Sequence, residues 1–195
     1  MIKSDIAAAV RILKRGGVIV FPTETAYGLG ADATNPRAVS KIFVVKGRSE
    51  RKPLPLIVAS KRMAERFFIF SEAEAALARR HWPGPLTLLL RPRRRFPRGV
   101  LGPDGRAAVR VSGSALARAL SARLGKPITA TSANRSGGKT CYSVSCVRRS
   151  LDKVQPEMVL DGGTLSRRKP STIIRVTKKS VRVLRQGTVR LSYKK

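Results

Sequence analysis

A mixed α/β domain is what the sequence predicts: one twisted β-sheet with strands in both directions, helices flanking it, and a concave basic cleft. Three observations carry that expectation. Apolar runs of strand length interleave with segments of helical period, but strict strand–helix–strand alternation is lacking, so a purely parallel sheet is not expected. Helix starts are written out in side chains suited to capping free backbone N–H groups. With 195 residues and 42% apolar content, the chain can bury one core without disulfides or metal. No repeat or long linker divides it, so residues 1–195 read as a single domain.

Taken in order, Ser4 or Asp5 caps a first helix whose Ile6, Val10 and Leu13 share one face, and Gly16-Gly17 ends it. Residues 18–21 form a short, wholly apolar strand. A polar, Gly-punctuated loop follows, then Asn35-Pro36 supplies the N-cap and first position of a helix reaching toward Lys46. Residues 54–59 read as a buried strand with proline at its edges. Ser71 and Glu74 make a capping box for a helix to about Arg80. WPGPLTLLL turns into a strand over 86–90, and 91–98 (RPRRRFPR) is a dense basic loop. A strand over 107–111, an Ala-rich helix over 114–124 closed by Gly125, and a strand over 127–130 follow. A short helix from about Ser143 and a strand over 158–160 come next. Two strands, 172–176 and 181–184, flank a Lys178-Lys179 turn.

Charge is the outlier. Lysine and arginine number 41 against 11 acidic residues, a formal net charge of +30. Such an excess concentrates polyanions around the protein and makes their binding salt-dependent. A generally basic or salt-adapted surface gives the same number, so the charge says polyanion without saying which. Cys141 and Cys146 have no His or Cys cluster beside them, and the one histidine, His81, is remote. A zinc site is therefore not expected and a reduced pair is. The N-terminus lacks a signal-peptide h-region, and no apolar run reaches ~18 residues, so a soluble, cytoplasmic protein without membrane contact is expected.

The densest chemistry lies in residues 21–48, FPTETAYGLGADATNPRAVSKIFVVKGR. A buried strand exiting into Pro22, Thr23, Glu24, Thr25 and Gly28 puts small hydroxyl groups at a strand end, where open α/β sheets bind ligands. Lys46 and Arg48, just beyond a helix, can lean on one anion from the same side. Ser132-Ala133-Asn134 with Gly137, Gly138, Lys139 and Thr140 can offer backbone N–H groups to phosphate oxygens. His81 beside Trp82 reads as a helix-end packing residue, so no nucleophilic triad is available. Catalysis must rest on positioning and electrostatics. Residues 133–140 also read A-x-x-x-x-G-K-T, one glycine short of a P-loop, with 159–161 as a Walker B strand. The motif's late position and the weak helix openers Cys141, Tyr142 and Ser143 count against it.

PTETAYGLGADATN, KGR and KPLPLIVAS resemble the YrdC/TsaC family of threonylcarbamoyl-adenylate synthases. So, in order, do WPGPLT (82–87), AVR (108–110), ATSAN (130–134), PST (170–172) and LRQG (184–187). Each string is short; their order and spacing carry the resemblance over nearly the whole chain. It implies a YrdC/RibB-like fold and condensation of L-threonine, bicarbonate and ATP to threonylcarbamoyl-AMP and pyrophosphate. Mg²⁺ would ride on the ATP phosphates, with no metal site of the protein's own. The product would feed N6-threonylcarbamoyladenosine formation in tRNA through a separate threonylcarbamoyl transferase complex. The resemblance puts threonine near Thr25, Arg110, Ala130 and Ser171. It puts ATP near Arg48, Lys52, Ser132, Thr140 and Arg185, and makes Lys46, Arg48, Ser132 and Asn134 the catalytic cluster. Arg110 suits a carboxylate, Lys46 a bicarbonate or carbamate, and Arg48 and Arg185 the phosphates. Glu24 and Asp161 are candidate helpers.

Every one of these cations has a plain alternative as a solvated surface charge. Thr25 has one as a group that satisfies loop backbone, and Ser171 as the start of a strand. Two positions depart from the family. Ser49 stands where many relatives have proline, and Ile57 where many have a histidine that approaches threonine. The chain ends soon after LRQG, so it resembles the short form without a further C-terminal domain. Two other functions stay in view. One is a non-catalytic double-stranded RNA or tRNA-binding module using the 91–98 loop, although that loop offers no stacking aromatic beyond Phe96. The other is a P-loop NTPase using Lys139.

Overall fold

The structure, a computed structural model, describes residues 2–177 and 180–191; the expected Lys178-Lys179 turn lies outside the described residues. Helix α1 (Ile2–Lys14) starts ahead of the expected Ser4 or Asp5 cap, so those residues lie inside it. It buries Ile6, Ala9, Val10 and Leu13, as a 3.6-residue period requires. Strand β1 (Ile19–Pro22) is fully buried and pairs antiparallel with β2 (Tyr27–Gly30). The sequence suggested loop for β2, because glycine disfavours strands. A Cβ at Gly30 would lie 2.5 Å from the Phe21 ring, so the close approach of that ring dictates the residue.

Helix α2 (Pro36–Lys46) starts as expected on Asn35, whose side chain accepts from the backbone N–H groups of Arg37 and Ala38. It stops on Gly47 in the left-handed region, φ 55°, which turns Arg48 away from the helix axis. Then come β3 (Leu56–Val58), α3 (Lys61–Phe67), β4 (Phe68–Ile69), α4 (Glu72–His81), β5 (Leu86–Pro92) and β6 (Ala107–Val111). The Ser71/Glu74 capping box opens α4 with both reciprocal bonds formed. Helix α3 and strand β4 have no counterpart in the sequence reading. The chain continues through α5 (Ala115–Leu124), β7 (Ile128–Thr129), β8 (Thr131–Ser132), α6 (Val144–Ser150), β9 (Met158–Val159), β10 (Thr172–Val176) and β11 (Val181–Arg185).

The strands form two sheets rather than one. The smaller runs β8-β2-β1-β9; the larger runs β11-β10-β5-β6-β3-β7, with β4 beside β5. Parallel pairs β1–β9, β5–β10 and β3–β6 sit among antiparallel ones, so the mixed character holds. Consecutive strands β7 and β8 belong to different sheets, so Ala130 is where the chain crosses between them. A large apolar cluster that includes Val20, Leu29, Ile42, Leu56, Leu88 and Val109 joins the sheets to α2. A second joins α1 to α5 through Phe21, Ile57 and Ile128. Among the described residues no helix is long and apolar enough to cross a membrane.

The expectation for the cysteines is overturned. Cys141 and Cys146 are joined by a disulfide rather than reduced. The N-cap Ser143 folds the chain back, bringing Cys146, in the first turn of α6, to a Cα separation of 5.4 Å from Cys141. Sequence spacing alone carries no sign of that turn. Closing so short a loop removes unfolded-state entropy worth about 2 kcal/mol. Reduction with dithiothreitol is expected to lower the unfolding free energy by that amount, read as a shift in the urea midpoint. An unchanged midpoint would mean the bond does not constrain the unfolded chain.

Candidate functional site

A cleft of about 740 Å³ opens between the two sheets beside the Ala130 crossing. Of the residues singled out in the sequence, Thr25, Arg48, Arg110, Ala130, Ser132, Thr140, Ser171 and Arg185 line it; Lys46, Lys52 and Asn134 do not. The cleft therefore joins the end of β1 and the exit of α2 with the β8 turn, across 86 residues of chain between Lys46 and Ser132.

At one end the loop after β1 is satisfied by Thr23, not Thr25. The Thr23 hydroxyl accepts from the N–H groups of Thr25 and Ala26 and donates to the Ala26 carbonyl at 2.7 Å. Thr25 keeps its hydroxyl at the cleft, 3.1 Å from that of Thr23. Arg110 on β6 is buried and its Nη1 donates to Glu24; Ser112 Oγ donates to the other oxygen of the same carboxylate. Burial pushes the Glu24 carboxyl up, but the Arg110 guanidinium, the Ser112 hydroxyl and nearby backbone N–H groups hold it below the ordinary range. Burial also lowers the Arg110 pKa, and the Glu24 charge works against that shift. Ser171 does more than precede β10. Its hydroxyl accepts from Thr87 Oγ1 and Arg185 Nη2, both at 2.9 Å, and its carbonyl from Arg185 Nε and Nη2 at 3.0 and 2.8 Å.

At the other end Arg48 donates to the carbonyls of Lys52 (3.2 Å) and Pro53 (3.3 Å). Lys52 thus contributes its backbone, while its side chain is exposed outside the cleft lining. Lys46 is 1% exposed and lies behind the wall. Its Nζ donates to the carbonyls of Ser132 and Asn134, the latter at 2.6 Å, and no carboxylate pairs with it among the described residues. Burial, then the Arg48 charge, lowers its pKa to about 8. Asn134 is also buried; its Nδ2 donates to Arg135 and Gly138 carbonyls at 2.8 Å, pinning the turn, while its Oδ1 has no partner among the described residues. Lys46 and Asn134 therefore build the wall that Ser132 presents. A helix-end lysine in so basic a chain reads as surface, and only tertiary packing puts it inside.

Sequence reasoning missed Tyr142 and Arg168, which line the cleft, and Tyr27, whose hydroxyl accepts from Gly162 N–H and donates to the Gly163 carbonyl. Thr140, two residues before Tyr142, pointed at the right segment; nothing marks Arg168 among its basic neighbours. Asp161 does not line the cleft and instead accepts from Gly163 N–H in its own turn.

P-loop geometry is absent. Lys139 is exposed outside the cleft, the chain stays non-helical until Val144, and β8 pairs antiparallel with β2. The Phe96 ring is stacked on Phe68 with centroids 5.4 Å apart, so it is committed to packing rather than free to stack on bases.

Fold and cleft together define a mixed α/β domain with a cleft between its sheets that presents guanidinium groups at both ends. The Sua5/YciO/YrdC family model, described as "Telomere recombination", matches residues 11–187. The chain belongs to that family. It is 39% identical over 175 residues to the threonylcarbamoyl-AMP synthase of Chromobacterium violaceum, covering 89% of this chain and 88% of that one. It is 34% identical over 187 residues to the synthase of the same name from Vibrio vulnificus, covering 94% and 99%. A crystal structure of P. abyssi Sua5 complexed with L-threonine superposes with a TM-score of 0.86 at 37% identity, over 93% of this chain; the chain spans 54% of that longer protein. E. coli YciO superposes with a TM-score of 0.83 at 27% identity, covering 96% and 90%.

Proposed function

We propose that the chain is an L-threonylcarbamoyladenylate synthase, a nucleotidyltransferase that joins L-threonine, bicarbonate and ATP. The observation that carries this reading is the single cleft that three arginines line together, Arg110 and Arg185 beside Ser171 and Arg48 at the exit of α2. Threonine bound as its zwitterion gives its ammonium proton up to solvent, and the neutral amine attacks the bicarbonate carbon, giving the carbamate and water. A carbamate oxygen then attacks the α-phosphorus of ATP, and pyrophosphate leaves. Arg110 offers guanidinium donors to the threonine carboxylate, with Thr25, Ala130 and Ser171 around the amino acid. Arg48, Ser132, Thr140 and Arg185 face the nucleotide, with Lys52 at the rim. Lys46 sets a fixed positive charge behind the 132–134 turn, which Asn134 holds rigid, where negative charge builds during attack.

Mg²⁺ enters with ATP as part of the substrate. The carboxylates nearest the cleft are already committed, Asp104 to Arg175 and Glu24 to Arg110, so the phosphates are the better oxygen ligands. Residues 1–195 act as one domain, a reading supported by strands β7 and β8, which run directly from one sheet into the other. The net charge of +30 supports salt-dependent attraction of tRNA, with the intermediate passing to a separate transferase complex in the cytoplasm.

The test is pyrophosphate release from ATP with threonine and bicarbonate present, then with each omitted. Release is expected only with both. Arg48→Ala is expected to lower it about 100-fold, the order associated with losing one charged stabilising group. Lys139→Ala is expected to change it less than about threefold, as for an exposed charge. Release that ignores threonine and collapses in Lys139→Ala would replace this reading with a nucleoside triphosphatase.

A further inference from the structure

The arginines of the cleft divide by their partners. Among the described residues Arg106 pairs with Glu74 and Arg175 with Asp104, each at 3.4 Å, and Arg110 pairs with Glu24. Arg48 and Arg185 meet only backbone carbonyls and the Ser171 hydroxyl. Arg110 is near enough to Arg185 to depress its basicity electrostatically, and the two carry the same head group into the same cleft. Of these two, only Arg110 has its charge offset by a carboxylate among the described residues. The Glu24 carboxylate that offsets it is fixed on both oxygens, by Arg110 and by Ser112, and Gly113 leaves the room it fills: a Cβ there would lie 3.3 Å from Glu24 Cγ.

We propose that Glu24 is a specificity-determining residue that reserves the Arg110 end of the cleft for the zwitterion of an amino acid and denies it to phosphate. This deepens the synthase reading above and rests on it. A phosphate gains from uncompensated positive charge, so it is drawn to Arg48 and Arg185 and meets a carboxylate beside Arg110. An amino acid is neutral overall and loses nothing to that cancellation. Its carboxylate still finds guanidinium donors, because among the described residues only Nη1 of Arg110 is engaged and a guanidinium carries five N–H groups. Without Glu24, two like arginines would compete equally for the polyanion, and ATP or pyrophosphate would block the amino-acid end.

The experiment is equilibrium dialysis of radiolabelled L-threonine against the full chain without ATP, with inorganic phosphate as the challenger. The wild-type protein is expected to hold threonine regardless of phosphate. In Glu24→Gln phosphate is expected to become a competitor and to weaken apparent threonine binding about tenfold, the order of one charge contact across a site. Glu24→Asp keeps the charge and is expected to keep phosphate out, which supplies a variant arm if Glu24→Gln does not fold. Phosphate competing with threonine in the wild-type protein would overturn the inference without any variant. So would a Glu24→Gln protein with wild-type threonine affinity and no response to phosphate, or a Glu24→Asp protein as open to phosphate as Glu24→Gln. Wild-type protein that binds no threonine at all overturns the synthase reading and this inference with it; the other outcomes all start from bound threonine and bear on Glu24 alone.

Discussion

Lys46→Ala is expected to abolish threonine-dependent pyrophosphate release, a loss of about 10³-fold or more if the buried ammonium stabilises the transition state as proposed. It also removes the donor that satisfies the carbonyls of Ser132 and Asn134, so the folded protein should lose about 2–5 kcal/mol for two buried acceptors left bare. A pH series separates these two roles. The Lys46 pKa is about 8 in the folded protein against an ordinary 10.5. Between those values the unfolded chain keeps a proton that the folded one has released, so stability attributable to Lys46 rises with pH, by at most about 3 kcal/mol. Activity that needs the ammonium falls over the same range. Urea unfolding and pyrophosphate release at pH 7.5, 9 and 10.5 should slope in opposite directions, and the Lys46-dependent rise in stability should vanish in Lys46→Ala. Activity that persists undiminished to pH 10 would show that the charge of Lys46 is not used.

The lysine also marks how far the sequence is legible. Asn35-Pro36, the Ser71/Glu74 box and the Gly125 stop are local devices, in which one side chain answers backbone a few residues away, and they are read correctly from the chain alone. Strand β2 is not, because Gly30 answers to the Phe21 ring on the neighbouring strand rather than to any local preference. The same divide holds at the site. The resemblance points to the residues that line the cleft, but not to the side on which each works. Lys46 sits under the wall, Lys52 contributes a carbonyl at its edge, and Ile57 is fully buried in the α1–α5 cluster. The Cys141–Cys146 bond depends on the turn at Ser143, and the Arg110–Glu24 pair closes across 86 residues of chain. Contacts of that range come from topology, which the spacing of motifs does not carry.

That long-range pair yields the other large effect. Arg110→Ala is expected to cost about 3 kcal/mol at neutral pH, the lower end for breaking a buried ion pair, because the Glu24 side chain retains 14% exposure. Threonine-dependent activity should fall about 100-fold or more with the carboxylate-binding guanidinium gone. The acid limb gives the cleaner signature. In the wild-type protein the folded pKa of Glu24 lies below its ordinary value, so its contribution to stability is present above that value and is lost as pH falls through the folded one. Without Arg110, burial is no longer outweighed and the folded pKa moves above the ordinary value. The ionised carboxylate then costs stability at neutral pH, and acidification relieves the cost. Between about pH 6 and 3 the Glu24 contribution should therefore decline in the wild-type protein and recover in Arg110→Ala, narrowing the gap between their urea midpoints. A gap that stays constant over that range would mean that Ser112 and the Gly113 N–H hold the carboxylate ionised on their own. Arg110→Lys should restore most of the stability through charge alone, yet leave threonine binding weakened, since an ammonium cannot present paired donors to a carboxylate.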